Sequence, residues 1–209
     1  RSTRGALPSP SRQRLTPQER QGGAGWQRFW LPVGAALGAT VLYYTLILTV
    51  TRDADDPSLL KLDMPSAPPE PADLPELLSA LGVNGETFIS RTGNGNAVVL
   101  LSDESAVRAV APDFLALRKL PYLVSVTAPG DQQDVSSRVF AAYHGIDEDP
   151  VTGSAHTALV PFWAERLGRH RFSALQASKR TGLIDCELRG DRVILGGHAV
   201  TVIEGYFQI

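Results

Sequence analysis

The stretch "DEDPVTGSAHTALVPFWAERLG", residues 147–168, sets three carboxylates, a proline, a Gly-Ser step and a histidine directly ahead of an apolar-periodic run. Ala155, Ala158, Leu159, Phe162, Trp163 and Leu167 recur at helical spacing and predict a helix with an apolar stripe wide enough to be buried. A helix leaves its first backbone N–H groups unpaired and carries a partial positive charge at that end. Gly153, Ser154 and Ala155 would present those donors, an arrangement suited to holding a substrate carboxylate. Asp149 precedes Pro150, which biases it toward an extended backbone. A carboxylate at such a rim can take or give a proton, or orient a group that does. The same acids have a plainer explanation, since each one near a helix start favours the dipole by typically ~0.3–1 kcal/mol without any function. Spacing alone leaves both readings open.

The elements that must hold this turn in place follow from pattern. Ser154 is the expected N-cap of the helix, which leaves Gly153 free for a backbone conformation costly to other residues, and Gly168 is a natural stop. Pro161 inside the helix typically costs about 3 kcal/mol, so a kink or ragged turn is expected there. "LLKLDMP" alternates as a strand, and "ETFISR" and "NAVVLLSD" read as two strands around the turn signal "TGNGN". Asp103 can cap "ESAVRAV", and Pro112 can open a second helical stretch, "DFLALRKL". "YLVSVTAP", "VSSRVFAAY", "RFSALQAS", "GLIDCEL", "RVILGG" and "AVTVIEGYF" complete the strands, with "RGDR" as a tight turn. Strands wrapped around one apolar helix imply an α+β fold rather than an alternating βαβ one.

Composition limits the partners. The chain has 209 residues and a net charge of −2, which offers no nucleic-acid signature. Residues 1–28 carry six arginines against one glutamate, a local +5, so the remainder is −7. That Pro/Gly/Ser/Gln-rich tail reads as a disordered extension, although its Arg-rich, acid-poor make-up is also that of a presequence. Residues 29–50 hold no charge, and a bilayer core needs about 20 apolar residues in a helix. Pro32, three threonines and the β-branched run "TLILTVTRD" speak instead for a short helix followed by a soluble strand, so membrane insertion is not the favoured reading. "PSAPPEPADLPE", residues 65–76, contains five prolines and is expected to be a semi-rigid connector rather than a packed element.

Other reactive residue types are assigned quieter roles. His144, Asp147, Glu148 and His156 match no zinc or EF-hand spacing, and no metal is expected. Cys186 shares a strand face with Ile184 and Leu188, so it should be buried and inert; as the single cysteine it permits no internal disulfide. His170 and His198 are expected in loops or turns without partners.

"SRVFAAYHGIDEDPVTGSAHTALVPFWAERLG" and "LQASKRTGLIDCELRGDRVILGGHAVTVIEG" resemble the C-terminal half of the phenazine-biosynthesis-like PhzF family, with "DPVTGSAH" as the most specific motif. The likeness extends through "VTAPG", "VVLLSDESAVRAVAPDFLAL" and "LTVTRDADDPSLLKLDMPS", to cover roughly residues 46–209. It implies a diaminopimelate-epimerase-like fold: two lobes, each a curved, mostly antiparallel sheet around a central helix, with the active site in the cleft between them. It also implies cofactor-independent isomerisation, moving a proton on a small carboxylic acid in a cytoplasmic biosynthetic pathway. On that reading Asp149 is the second-lobe polar catalytic residue, Gly153, Ser154 and Ala155 supply substrate-binding donors, and His156 is at most a supporting, packed or capping side chain.

The pattern departs from the family in the first lobe. The family's "SETAF"-like segment with its acid/base glutamate and its "GHAT" histidine are not intact; "VGAALGATVLYYTL" keeps Gly38-Ala39-Thr40 without a histidine, and Glu86 in "GETFIS" reads as a strand-edge residue of the second lobe. The expected organisation is a basic tail (1–28), a first-lobe remnant (29–64), the Pro-rich linker (65–76) and a complete second lobe (77–209). A half-built cleft would expose an apolar wall that favours association, with a homodimer as the default. Three functions compete: an isomerase, a catalytically inactive binding relative, and a form tethered to a membrane through 29–50.

Overall fold

The longest helix among the described residues owes its position to its composition: ten consecutive residues, Ala155–Ala164, are buried, which no helix lying on one surface could achieve. The computed structural model describes residues 49–90 and 95–198. Among these described residues a single sheet of eleven strands runs around the helix. They are β1 (Thr49–Arg52), β2 (Leu59–Pro65), β3 (Glu70–Pro71), β4 (Glu86–Ile89), β5 (Asn96–Leu100), β6 (Leu123–Pro129), β7 (Val135–Ala141), β8 (Ile146–Asp149), β9 (Arg171–Gln176), β10 (Gly182–Arg189) and β11 (Arg192–His198). The order is β1-β2-β11-β10-β9-β7-β6-β5-β4-β3, with β8 pairing off this path onto β7. Only β5–β6 and β7–β9 are parallel among the described pairs. The architecture is the α+β one expected.

The helices are α1 (Pro75–Leu81), α2 (Glu104–Ala109), α3 (Phe114–Leu117) and α4 (Gly153–Leu167). Residues from β2, β4, β5, β6, β7, β9, β10 and β11 all pack with α4 in one apolar core. One helix can meet eight strands only if the sheet curls around it. Leu159, Val160, Phe162 and Trp163 lie almost fully buried there. At ~1.5–3 kcal/mol per large apolar side chain, this burial exceeds the ~3 kcal/mol disadvantage of an interior proline. The opposite face of β5–β7 carries a second core, where Val99, Val126 and Phe140 meet α1, α2 and α3.

Pro161 does not interrupt α4, which runs as helix from Gly153 to Leu167. A proline at 161 cannot donate to the carbonyl of Thr157, and that carbonyl instead accepts the Ala67 N–H at 2.9 Å. The donor comes from the proline-rich segment, which is therefore packed rather than a free connector. Ala67 is buried, Ser66 N–H donates to the Asp191 carbonyl, Ala72 N–H to the Thr87 carbonyl, and Glu70–Pro71 forms the edge strand β3 against β4. The sheet also ignores a boundary at residue 64. β2 pairs with β11 along its whole length, and Met64 joins the core around α4.

Several local expectations change in the same way. The cap of α4 is Thr152, not Ser154, and Gly153 is the first residue of the helix with no positive φ. Asp113, not Pro112, opens α3, accepting from the Leu115 and Ala116 N–H groups. Asp103 caps α2 as expected, and Gly168 ends α4 in the left-handed conformation at φ 64°. His198 ends β11 with Nδ1 3.2 Å from the Ser58 hydroxyl, so it has a partner. The expected strand at 199–207, residues 1–28 and 29–48, and part of the "TGNGN" turn lie outside the described residues.

The Thr157–Ala67 bond can be tested by a double-mutant cycle. Ala67→Pro removes the donor and should lower stability in urea unfolding by about 1–3 kcal/mol, the cost of an unsatisfied buried carbonyl. Adding Pro161→Ala supplies a helical N–H to the same carbonyl and should recover a measurable part of the loss. Strict additivity would show that the two prolines are not linked through this carbonyl.

Candidate functional site

Three adjacent acids enter the site region and meet three different environments. Asp147 pairs with Arg118 at 2.7 Å, both about half exposed. Glu148 forms a two-pronged pair with Arg138, at 2.7 and 3.0 Å, and both side chains are largely sheltered. Arg138 also donates to the carbonyls of Val107, Arg108 and Val110, so one guanidinium ties the end of α2 to β7 and β8. Asp149 ends β8, opposite Val139, and faces neither arginine. Its Oδ2 accepts the Thr152 hydroxyl at 2.5 Å.

The turn between Asp149 and α4 is clamped from β9 and the loop after it. Gln176, wholly buried, accepts the Thr152 N–H through Oε1 at 2.8 Å. Its Nε2 donates to the Asp149 carbonyl at 2.8 Å and to the Thr152 hydroxyl at 3.2 Å. The Ser178 hydroxyl donates to the Pro150 carbonyl at 2.7 Å. From the other side, Gly182 allows β10 to approach closely, since a Cβ there would fall 2.3 Å from Val151 Cγ2.

This clamping has a consequence for the helix start. Thr152 occupies the cap position, yet its side chain accepts from no helix N–H. Gly153, Ser154 and Ala155 therefore begin α4 without a side-chain cap. Gly153 and Ser154 are half-buried, whereas Ala155 is buried in the core. Side chains of Leu62, Met64 and Leu195 border Gly153, at 3.6–3.9 Å from the place a Cβ would occupy. The Ser154 carbonyl accepts from Asn96 Nδ2 at 3.0 Å and from the Thr157 hydroxyl at 2.7 Å. Asp149 and the start of α4 thus share one rim, joined through Thr152.

His156 lies within the core rather than on that rim. Its Nδ1 donates to the Thr152 carbonyl at 2.8 Å, and its Nε2 has no hydrogen-bond partner among the described residues. Burial pushes its pKa down, with the bond to Thr152 opposing. Cys186 is buried, and desolvation raises its thiol pKa far above the usual range. Among the described residues no three His, Cys, Asp or Glu side chains gather where they could hold a metal ion.

Asp149, Gly153 and Ser154 line none of four hollows found among the described residues. One of them, about 770 Å³, lies beside α1 and α2 and has Glu86 among its lining residues. Gln176, Thr152, Ser178 and Arg138 were not singled out from the sequence. The usable signal for Gln176 was its place two residues after Ala174 and four after Phe172, a polar side chain on the inward face of a strand.

The curled sheet around a buried helix defines the α+β class, and comparison with known proteins defines the family. Residues 43–205 match the model of the phenazine biosynthesis-like (PhzC-PhzF) proteins, and the chain belongs to that family. Two uncharacterised isomerases of Pseudomonas aeruginosa are 43% identical over 164 residues and 47% identical over 152, covering 78% and 72% of this chain. The chain spans only about three fifths of their length, 61% and 58%. A solved PhzF-family structure from Enterococcus faecalis superposes with a TM-score of 0.68 at 38% identity, over 81% of this chain and 70% of the other.

Two measurements test this geometry. Arg138→Leu strands Glu148 in a sheltered place and frees three carbonyls, and should cost about 2–4 kcal/mol in urea unfolding; Arg118→Leu, at an exposed pair, should cost about 1 kcal/mol or less. Equal losses would contradict the difference in burial. His156 should make stability pH-dependent. Its folded pKa lies below the ordinary 6.5, so its contribution is complete above that value and is lost as the pH falls through it, when only the unfolded chain takes up the proton. His156→Gln should flatten the fall in unfolding midpoint between about pH 7.5 and 5.5. An unchanged slope would exclude His156 as its source.

Proposed function

We propose that this chain carries the second-lobe half of a PhzF-type isomerase site, which moves a proton on a small carboxylic acid without a cofactor, in a cytoplasmic biosynthetic pathway. The family and the isomerase names of its relatives support the reaction class. The observation that carries the reading is the diverted Thr152 hydroxyl. It leaves the first amides of α4 uncapped beside Asp149, a donor set for one carboxylate next to a group that can exchange a proton. In this scheme the amides of Gly153 and Ser154 hold the carboxylate of the substrate. Asp149 accepts or steers the proton leaving the neighbouring carbon, and the same proton, or one from solvent, returns to a different carbon or to the opposite face. The family's first-lobe glutamate would be the companion acid.

A second reading is a binding protein without catalysis. It draws on the engagement of Asp149 Oδ2 by the Thr152 hydroxyl, which suits a carboxylate that orients a ligand as well as one that titrates. A membrane-tethered form would depend on residues 29–50, of which only Thr49 and Val50 are described; no helix among the described residues is long and apolar enough to cross a membrane.

The readings separate in D₂O. The isomerase should exchange an α-proton of one member of a panel of small carboxylic acids, followed by proton NMR, and Asp149→Asn should slow the exchange by about 10²–10⁴-fold. Wild-type exchange no faster than that of Asp149→Asn, with the acid still bound, would establish the binding reading instead.

A further inference from the structure

We infer that Gln176 is a positioning residue for this rim: it turns the Thr152 side chain away from capping α4 and so keeps the first-turn amides open beside Asp149. The inference rests on the functional reading above and adds a residue, and a way of acting, to it.

A threonine at a helix cap ordinarily accepts from the amide two or three residues on, here Ser154 or Ala155. In this chain its hydroxyl is already engaged as a donor and at one of its two acceptor sites. Its proton goes to Asp149 Oδ2 at 2.5 Å, and its oxygen receives Gln176 Nε2 at 3.2 Å. The carboxamide cannot be reversed. Rotating it would set its NH₂ against the Thr152 N–H, now 2.8 Å from Oε1, and its oxygen against the Asp149 carbonyl, now 2.8 Å from Nε2. Both Nε2 hydrogens and the carbonyl are spent inside one four-residue turn, by a side chain with no exposure to solvent. Ser178 fixes the Pro150 carbonyl independently, so the turn does not rely on Gln176 for all of its anchoring. Asp149 and Gln176 together set the direction of the Thr152 hydroxyl, and of the two it is Gln176 that occupies an acceptor site of its oxygen. Without it, that oxygen is free to accept from Ser154 or Ala155, and the helix would cap itself with the donors a carboxylate needs.

The test is ¹⁵N NMR of the full chain, with sodium propionate as the probe and sodium chloride as the ionic-strength control. Wild-type amides of Gly153 and Ser154 should shift with propionate. Gln176→Leu, checked for native near-UV circular dichroism, should bind it about fivefold more weakly, the equivalent of one side-chain cap. Adding Thr152→Val removes the competing oxygen and should restore affinity to within about twofold. A second lesion that repairs the first is not the behaviour of a merely structural residue. Wild-type affinity in Gln176→Leu, or a double variant no better than the single one, overturns the inference. Should wild type show no propionate-dependent shift, the functional reading falls, and the ligand-free spectra decide the inference by themselves. There Gln176→Leu must move the Ser154 or Ala155 amide downfield and slow its exchange, and an unmoved spectrum overturns it. If Gln176→Leu does not fold, Thr152→Val alone serves. The hydroxyl does not cap these amides in the native turn, so their shifts should hold, and an upfield move typical of a lost cap overturns the proposal.

Discussion

A helix enclosed on all sides must settle every backbone polar group it leaves unpaired with the protein around it, because no water reaches the middle of the core. Helix α4 sets this condition for the whole structure. Pro161 frees the Thr157 carbonyl, and the proline-rich segment delivers Ala67 to it. Asn96 on β5 donates to the Ser154 carbonyl, and Trp163 donates outward to the Thr127 hydroxyl on β6 at 2.9 Å. The first-turn amides stand apart. Nearby side chains serve the turn before them, and this end of the helix keeps its donors.

The run of three acids shows how one sequence feature divides into separate physical roles. Alternation along β8 sends Asp147 toward solvent and Arg118, Glu148 toward the sheltered Arg138, and leaves Asp149 at the strand end where the chain turns into α4. The Glu148–Arg138 pair fixes the strand; Asp149 is then placed by its backbone, through the β7 register and Gln176, rather than by a charge partner. A carboxylate held in this way keeps one oxygen, Oδ1, outside the bonds of the turn.

Much of this arrangement was legible in the sequence, where the signal was local and periodic. Strand alternation placed β2, β4–β7 and β9–β11, and apolar spacing placed α4 with its glycine stop. The PhzF resemblance, drawn from "DPVTGSAH" and its flanks, directed attention to the turn before α4, where Asp149 and Thr152 are bonded. What could not be read depended on distant partners. Ser154 looked like the cap because Ser is a good one, but Thr152 takes that place while its hydroxyl is held by Asp149 and by Gln176, 24 residues away. Pro161 looked like a flaw because its remedy, Ala67, lies on a segment whose prolines suggested a linker. His198 looked solitary because Ser58 is 140 residues from it. Propensity reports what a residue prefers by itself, and each of these cases was decided by a hydrogen bond across the fold.

The pairing of β2 with β11 bears on the order in which the protein can assemble during synthesis. These neighbours sit at opposite ends of the described chain; Arg192 and Asp63, which bond at 2.7 Å, are 129 residues apart. On the ribosome β2 emerges well before β11 and has to wait for the strands and helices between them before its ladder can form. Until then the apolar flank of α4 that faces β2 and β11 is uncovered, and loop closure over such a distance is slow. The nascent polypeptide consequently spends its longest vulnerable interval with this flank open, the place where a holding chaperone would have the most to grip.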